Sequence, residues 1–316
     1  MKKTCTAVLT AVLLFAAVFS VDFYFFHSDL TNRLRACHLW RRELWSIGIT
    51  RSQNPFRLPV PDKPILRARD LTDTAARMVA DPFAVQTNGK WYLFFEIDSV
   101  STHQGEIGLS TSLDTVHWDY QGIVLDEPFH LSYPCVVQWQ GEWYMIPESR
   151  KMNSVRLYKA DPFPSHWTFV QTIVEGPHTD STPVFYNGRW WLFTCTGQNE
   201  EMNIFYADDL TGPWTAHPGN PVISGDRTRA RCGGRIQLID GRLIRFAQDC
   251  LDRYGHRVLG FEITELTPEA FSEKPLAENP LLEPDGSGWN AARMHQLDLH
   301  RTGTDSWIGF IDGNAH

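Results

Sequence analysis

The sequence predicts an all-β fold, a five-bladed β-propeller preceded by an N-terminal apolar segment that is either an anchor or a signal. Three observations carry this reading. A hairpin pattern, two short apolar strands around a tight turn, is written five times. The first four turn glycines, Gly89, Gly141, Gly188 and Gly241, are spaced 52, 47 and 53 residues apart. Between the hairpins lie further strand-like stretches, such as 107–118, 155–167 and 203–214, each ending on tryptophan. A period of this size made of strands alone marks one blade per repeat.

Residues 1–26 come first. Lys2 and Lys3 precede an apolar run over residues 6–21, and Asp22 is followed by Phe23, Tyr24, Phe25 and Phe26. One reading is a secretory signal peptide with a small residue, Ser20, near the cut. The other, which the pattern favours, is an uncleaved anchor long enough to cross ~30 Å of hydrocarbon, with the aromatics as an interfacial belt. The propeller would then be membrane-anchored or secreted, on the extracytoplasmic or luminal side. Residues 27–80 read as a connector, with Pro55, Pro59, Pro61 and Pro64 marking an extended stretch. Within it, residues 45–49 have the pattern of a strand that closes the last blade.

The propeller itself is assigned to residues 81–316. Its first hairpin pairs residues 83–87 with 91–96 around Asn88-Gly89, a dipeptide suited to the positive φ angles of a type I′ turn. The copies follow at 134–149, 181–195, 233–249 and 294–313, the last with a longer turn around Gly303. Twelve Trp, 19 Phe and nine Tyr supply the flat apolar faces on which neighbouring blades pack.

Composition limits the partners. A formal charge of −8 argues against nucleic acid, whose affinity rests on clustered Lys and Arg. The chain has no glycine-rich phosphate loop, zinc-type cysteine spacing or HExxH motif, so no cofactor is expected. Calcium held by aspartates and carbonyls of the channel needs no motif and stays open. Of six cysteines, Cys232 and Cys250 flank one hairpin and could be bridged. The favoured alternative makes Cys135, Cys195, Cys232 and Cys250 buried thiols.

In a propeller the innermost strands all run the same way around the channel. The starts of the first strands and the ends of the second strands therefore open on one face. That face should gather Asp81, Glu96, His103, Gln104, His130, Tyr133, Glu148, Arg150, Asp180, Arg229, Arg231, Asp249, Arg293, His295 and Asp312, while the opposite mouth receives only tight turns. Two carboxylates several ångströms apart can cleave a glycosidic bond, one protonating the leaving oxygen and the other activating water or attacking carbon. Asp81 is the candidate base or nucleophile, Glu148 the candidate acid and Asp180 a third carboxylate that separates their pKa values. Each could instead cap a turn or pair with arginine. Glu96, His103, Gln104, His130, Tyr133, Arg150, Arg231, Asp249, Arg293 and His295 are candidates for substrate binding. Arginines here favour an anionic sugar or a sugar phosphate, or else neutralise the rim aspartates.

The run ADPF…WYLFFE, HQGEIGLSTS, LDEPFHLSYPCV, YMIPES, DSTPVF, GGR and AQDC resembles the N-terminal propeller-like domain of plant glucosamine inositolphosphorylceramide transferases, over residues 45–316. In those proteins sugar transfer is attributed to a separate C-terminal domain, so the resemblance implies a glycan or glycolipid ligand and a partner glycosyltransferase. More distantly the pattern looks like five-bladed glycoside hydrolase families 43, 32 and 130. That likeness implies a base or nucleophile at Asp81 and a pKa-modulating role for Asp180. The family 43 acid should be a Glu beginning the fourth blade, where this chain has Arg231-Cys232-Gly233-Gly234; Glu148 is the substitute. The resulting expectation is a carbohydrate-active enzyme, hydrolase-like or transferase-related, with a non-catalytic glycan-binding module as the alternative.

Overall fold

The computed structural model describes residues 45–316; the apolar segment expected over residues 1–26 and the start of the connector lie outside the described residues. The described residues open with β1 (Trp45–Ser52), an isolated strand in sequence. Blade one is β2 (Ala76–Thr87), β3 (Lys90–Ser99), β4 (Gly105–Ser112) and β5 (Asp119–Leu125). Blade two is β6 (Ser132–Trp139), β7 (Glu142–Glu148), β8 (Ser154–Ala160) and β9 (Trp167–Glu175). Blade three is β10 (Thr179–Tyr186), β11 (Arg189–Thr196), β12 (Glu201–Ala207) and the short β13 (Thr215–Ala216).

Blade four departs from the expected single inner strand. It divides into β14 (Arg231–Cys232) and β15 (Gln237–Ile239), both paired with β16 (Arg242–Asp249), followed by β17 (Arg257–Leu266) and β18 (Phe271–Pro275). The interruption falls on Gly233 and Gly234. There the Leu297 N–H donates to the Gly233 carbonyl at 2.9 Å, turning the backbone towards the next blade. Blade five is β19 (Leu297–Gly303) and β20 (Ser306–Asn314), with β1 as its third strand in register from Trp45–Asn314 to Ser52–Trp307. Residues 45–52, which fall in the span read as connector, thus close the ring, as the pattern over 45–49 suggests.

The hairpins follow from local backbone chemistry. Asn88-Gly89, Gln140-Gly141, Asn187-Gly188 and Asp240-Gly241 all have positive φ at both positions, the type I′ geometry that matches strand twist. Side chains then alternate, and one set packs between blades. Trp91, Trp190, Trp191 and Trp307 are all buried there, so most tryptophans are blade core. Trp139 meets Trp190 edge to face at 5.3 Å, a contact worth ~0.5–1.5 kcal/mol beyond its area. Cys135, Cys195, Cys232 and Cys250 are free and buried, and burial pushes the Cys135 and Cys195 thiols up to about 12.

Each of the first three inner strands begins with the same irregularity. Ala80 faces Glu96, Ser132 faces Glu148 and Thr179 faces Cys195; the register then slips by one residue. The residue after each of these, Asp81, Tyr133 or Asp180, has φ of 53°, 47° or 48°. Such bulges re-aim a side chain at a barrel rim, and a non-glycine residue in this region costs ~1–3 kcal/mol. Gly234, at φ +139°, is more tightly bound still, since a Cβ there would lie 1.8 Å from the Leu297 carbonyl oxygen. Gly234→Ala is therefore expected to destabilise the chain by at least ~2 kcal/mol, read as a lower urea midpoint at unchanged slope.

A buried carboxylate cluster at the bulge mouth

The bulges bring the starts of the inner strands and the ends of the second strands to one mouth of the channel. Asp81, Glu96, Glu148, Asp180, Arg231, His295 and Asp312 meet there. Asp81, Glu96, Asp180, His295 and Asp312 are all buried, none more than 5% exposed. Glu96 and Glu148 each stand seven residues after a turn glycine, as do Cys195 and Gln248. Gln248, missed in the sequence reading, was findable by this count.

Asp81 and Asp312 share one cation. The Asp81 N–H donates to Asp312 Oδ2 at 3.1 Å, and the Tyr133 N–H donates to Asp81 Oδ2 at 3.1 Å. The His295 and Gln296 N–H groups donate to Asp312 Oδ1. The imidazole of His295 lies between the two acids, Nδ1 at 2.8 Å from Asp312 Oδ2 and Nε2 at 3.7 Å from Asp81 Oδ1. Burial disfavours its charged form, but both carboxylates outweigh that and hold it above the usual histidine range. Trp45, brought in by β1, stacks on the ring at 4.0 Å.

Asp180 is clamped. Arg231 grips it through both oxygens, Nε at 2.6 Å and Nη2 at 3.2 Å, and Gln248 Nε2 donates to Oδ2 at 2.7 Å. The same guanidinium donates to Asn199 Oδ1 and lies over the Tyr254 ring, two further contacts that the sequence did not signal. With its oxygens occupied, Asp180 is placed to fix Arg231 and load its neighbours with negative potential, not to attack.

Glu148 is left short of partners. Its Oε2 is buried without a donor, and the closest cation, Arg231 Nη2, is 3.7 Å away. Burial first, then the Asp180 charge, pushes its carboxyl up to about 8 against the pull of Arg231. Protonated, it gains the donor that its surroundings lack. Burial also raises Asp81 to about 7, with His295 opposing and Asp180 and Asp312 assisting. Glu96 is raised well above the carboxylate range by burial and by Asp81; His130 Nε2 sits 3.5 Å from it.

Other expected binding residues are engaged elsewhere. Tyr133 is corrected most clearly: it is fully buried, its hydroxyl bonded to Thr182 Oγ1 and accepting from the Gly234 N–H, both at 2.8 Å. It fills the axle. Asp249 pairs with Arg257 at 2.8 Å and accepts from the Leu251 N–H; Gln104 donates to the Glu127 carbonyl. Arg293 lies over Trp45 and donates to the His316 carbonyl. His103 and Arg150 are exposed on rim loops. Among the described residues, Asp81, His295 and Asp312 form a group that could hold a metal ion, their donor atoms lying within 4.8 Å of one another. Calcium wants six to eight oxygens. This set offers one nitrogen and four carboxylate oxygens, three of them already bonded to backbone N–H groups, so it does not fit calcium.

Residues 57–314 match the family described as glucosamine inositolphosphorylceramide transferase 1, N-terminal. The chain belongs to this family. It is 36% identical over 299 residues to glucosamine inositolphosphorylceramide transferase 1 of Oryza sativa subsp. japonica, covering 85% of this chain and 40% of that protein. The Arabidopsis thaliana protein of the same name is 35% identical over 321 residues, covering 91% and 42%. This chain thus spans about two fifths of the length of these relatives. In fold it is similar to a family 117 glycoside hydrolase of the marine bacterium Zobellia galactanivorans, at TM-score 0.51 and 15% identity, covering 75% of this chain and 86% of that one.

The cluster sets the sign of the pH dependence. Asp81 and Glu148 have folded pKa values above their unfolded ones, so the stability linked to them is full below about pH 4 and is lost as pH rises through 7 to 8. Raised His295 adds a loss of the same sign. Thermal melts should therefore show a falling midpoint between about pH 5 and about pH 8.5. Glu148→Gln should flatten that fall and melt higher than the parent chain at the alkaline end.

Proposed function

We propose that the bulge mouth acts on a glycosidic bond, with Glu148 as general acid and Asp81 as base or nucleophile. The observation that carries this is the buried Glu148 Oε2 without a hydrogen-bond donor, in one cluster with the buried Asp81 carboxyl; burial raises both, to about 8 and about 7. An acid that keeps its proton near neutrality beside a second carboxyl able to take one is what protonating a leaving oxygen requires. Arg231, standing where family 43 would have its acid, has its donors committed to Asp180 and Asn199, and serves to position Asp180. His295 keeps Asp81 in reach of ionisation by opposing the effect of burial.

The relatives' names supply the substrate class of the proposal: a glycan or glycolipid in which an amino sugar, an inositol phosphate and a lipid meet. Arg150, and His130, whose imidazole burial holds towards the neutral form, would face the polar headgroup. The apolar segment over residues 1–26 would hold the propeller at a membrane surface where such a lipid resides. A second reading, a non-catalytic glycan-binding module that serves a separate glycosyltransferase, is favoured by one fact. The curated relatives are more than twice as long as the segment they share with this chain.

One experiment separates them. Hydrolysis and transfer on sugar–inositol phosphate lipids should fall by ~10²-fold or more in Asp81→Asn and in Glu148→Gln. Glu148→Gln should also remove the alkaline limb of the rate profile. Unchanged turnover in both variants would remove both carboxylates from the mechanism, whereas glycolipid binding without any turnover in the parent chain would support the binding module.

A further inference from the structure

The turn mouth is more than a rim of tight turns. A cavity of about 450 Å³ opens there, lined by inner strands of all five blades. It is cut off from the carboxylate cluster by a plug across the axle. Phe83 meets Tyr133 edge to face at 4.8 Å, and Arg235 lies over the Phe83 ring. Arg235 donates to Asp298 Oδ1 at 2.8 Å and to the Val136 carbonyl at 2.7 Å. Asp298 also accepts from the Ala84 N–H at 2.6 Å and sits 2.9 Å from His300 Nε2. Burial opposes the Asp298 charge, yet Arg235 and His300 hold its carboxyl down at about 2, so the plug carries its own counter-charge.

The geometry points to a second ligand site at this mouth, one that takes an uncharged, hydroxylated ring such as a monosaccharide. The volume lies in the range of small-molecule pockets. No Asp or Glu lines it, and the Arg235 charge is already matched by Asp298, so neither a cation nor a free anion is selected. Two exposed amides, Gln86 and Gln138, offer both donors and acceptors, and Gln237, whose Nε2 donates to the Leu299 carbonyl, keeps its Oε1 as an acceptor. Trp143 and the half-exposed Phe185 supply aromatic faces for the C–H side of a ring.

The test uses the full chain and a panel of glucose, galactose, mannose and N-acetylglucosamine, followed by saturation-transfer NMR. At least one sugar should receive transfer in the parent chain and equally in Asp81→Asn, whose change lies at the other mouth. Gln138→Phe, an exposed position whose new ring would enter the cavity, should abolish that transfer, and Phe185→Ala should weaken it severalfold. Two outcomes would overturn the site: no transfer from any of these sugars, or transfer that Gln138→Phe and Phe185→Ala leave untouched. Displacement of the bound sugar by inorganic phosphate would refute the uncharged class. Because the site is separate from Asp81 and Glu148, its failure leaves the proposed chemistry standing, and the converse holds.

Discussion

Everything in this molecule depends on one pairing, the antiparallel ladder between β1 and β20. A propeller blade buries both faces only if the ring closes, and closure here is made by eight residue pairs between opposite ends of the described chain. Without it, blade five would be reduced to two strands and blade one would lose the contacts that β1 makes with β2. The closing strand also carries chemistry, because its first residue, Trp45, lies flat on His295. The electrostatics of the hub are thus tied to the integrity of the ring.

Within that ring, repetition of backbone is used to vary side chains. The bulge that sets Asp81 at the axis recurs with Tyr133 and with Asp180. One copy is a carboxylate at the mouth, one an aromatic plug, one a carboxylate locked to arginine. At the second-strand ends, Glu96, Glu148, Cys195 and Gln248 occupy matching places. The approximate symmetry of the scaffold collects these groups, and the departures from it make their environments unequal. That inequality leaves Asp180 clamped and Glu148 short of partners.

The axle separates two environments of opposite character. One mouth concentrates carboxyl groups in a dry setting, where desolvation is the largest influence on Asp81, Glu96 and Glu148 and favours their neutral forms. The other is amide-lined, aromatic and free of acids. Between them Tyr133, Phe83, Arg235 and Asp298 form a wall whose polar groups bond to one another and to inner-strand backbone. A buried ion pair of this kind gives little net stability, but it fills the centre without leaving an unmatched charge.

Much of this was legible in the sequence. The turn dipeptides and the recurring glycines fixed blade number, strand direction and the mouth to which Asp81, Glu148 and Asp180 belong, because hairpin geometry is local. The strand over residues 45–49 could be suspected from its pattern. Local rules do not say which oxygen meets which nitrogen across residues 51, 101 or 231 positions apart. Hence Tyr133 reads as a ligand contact until its hydroxyl is found on Thr182. Asp180 likewise reads as a third carboxylate or an arginine partner, and only the fold shows that the arginine is Arg231, with Gln248 beside it. The order of β-strands was written residue by residue along the chain; the protonation of the hub and the cavity at the turns exist only because five separate segments converge and exclude water.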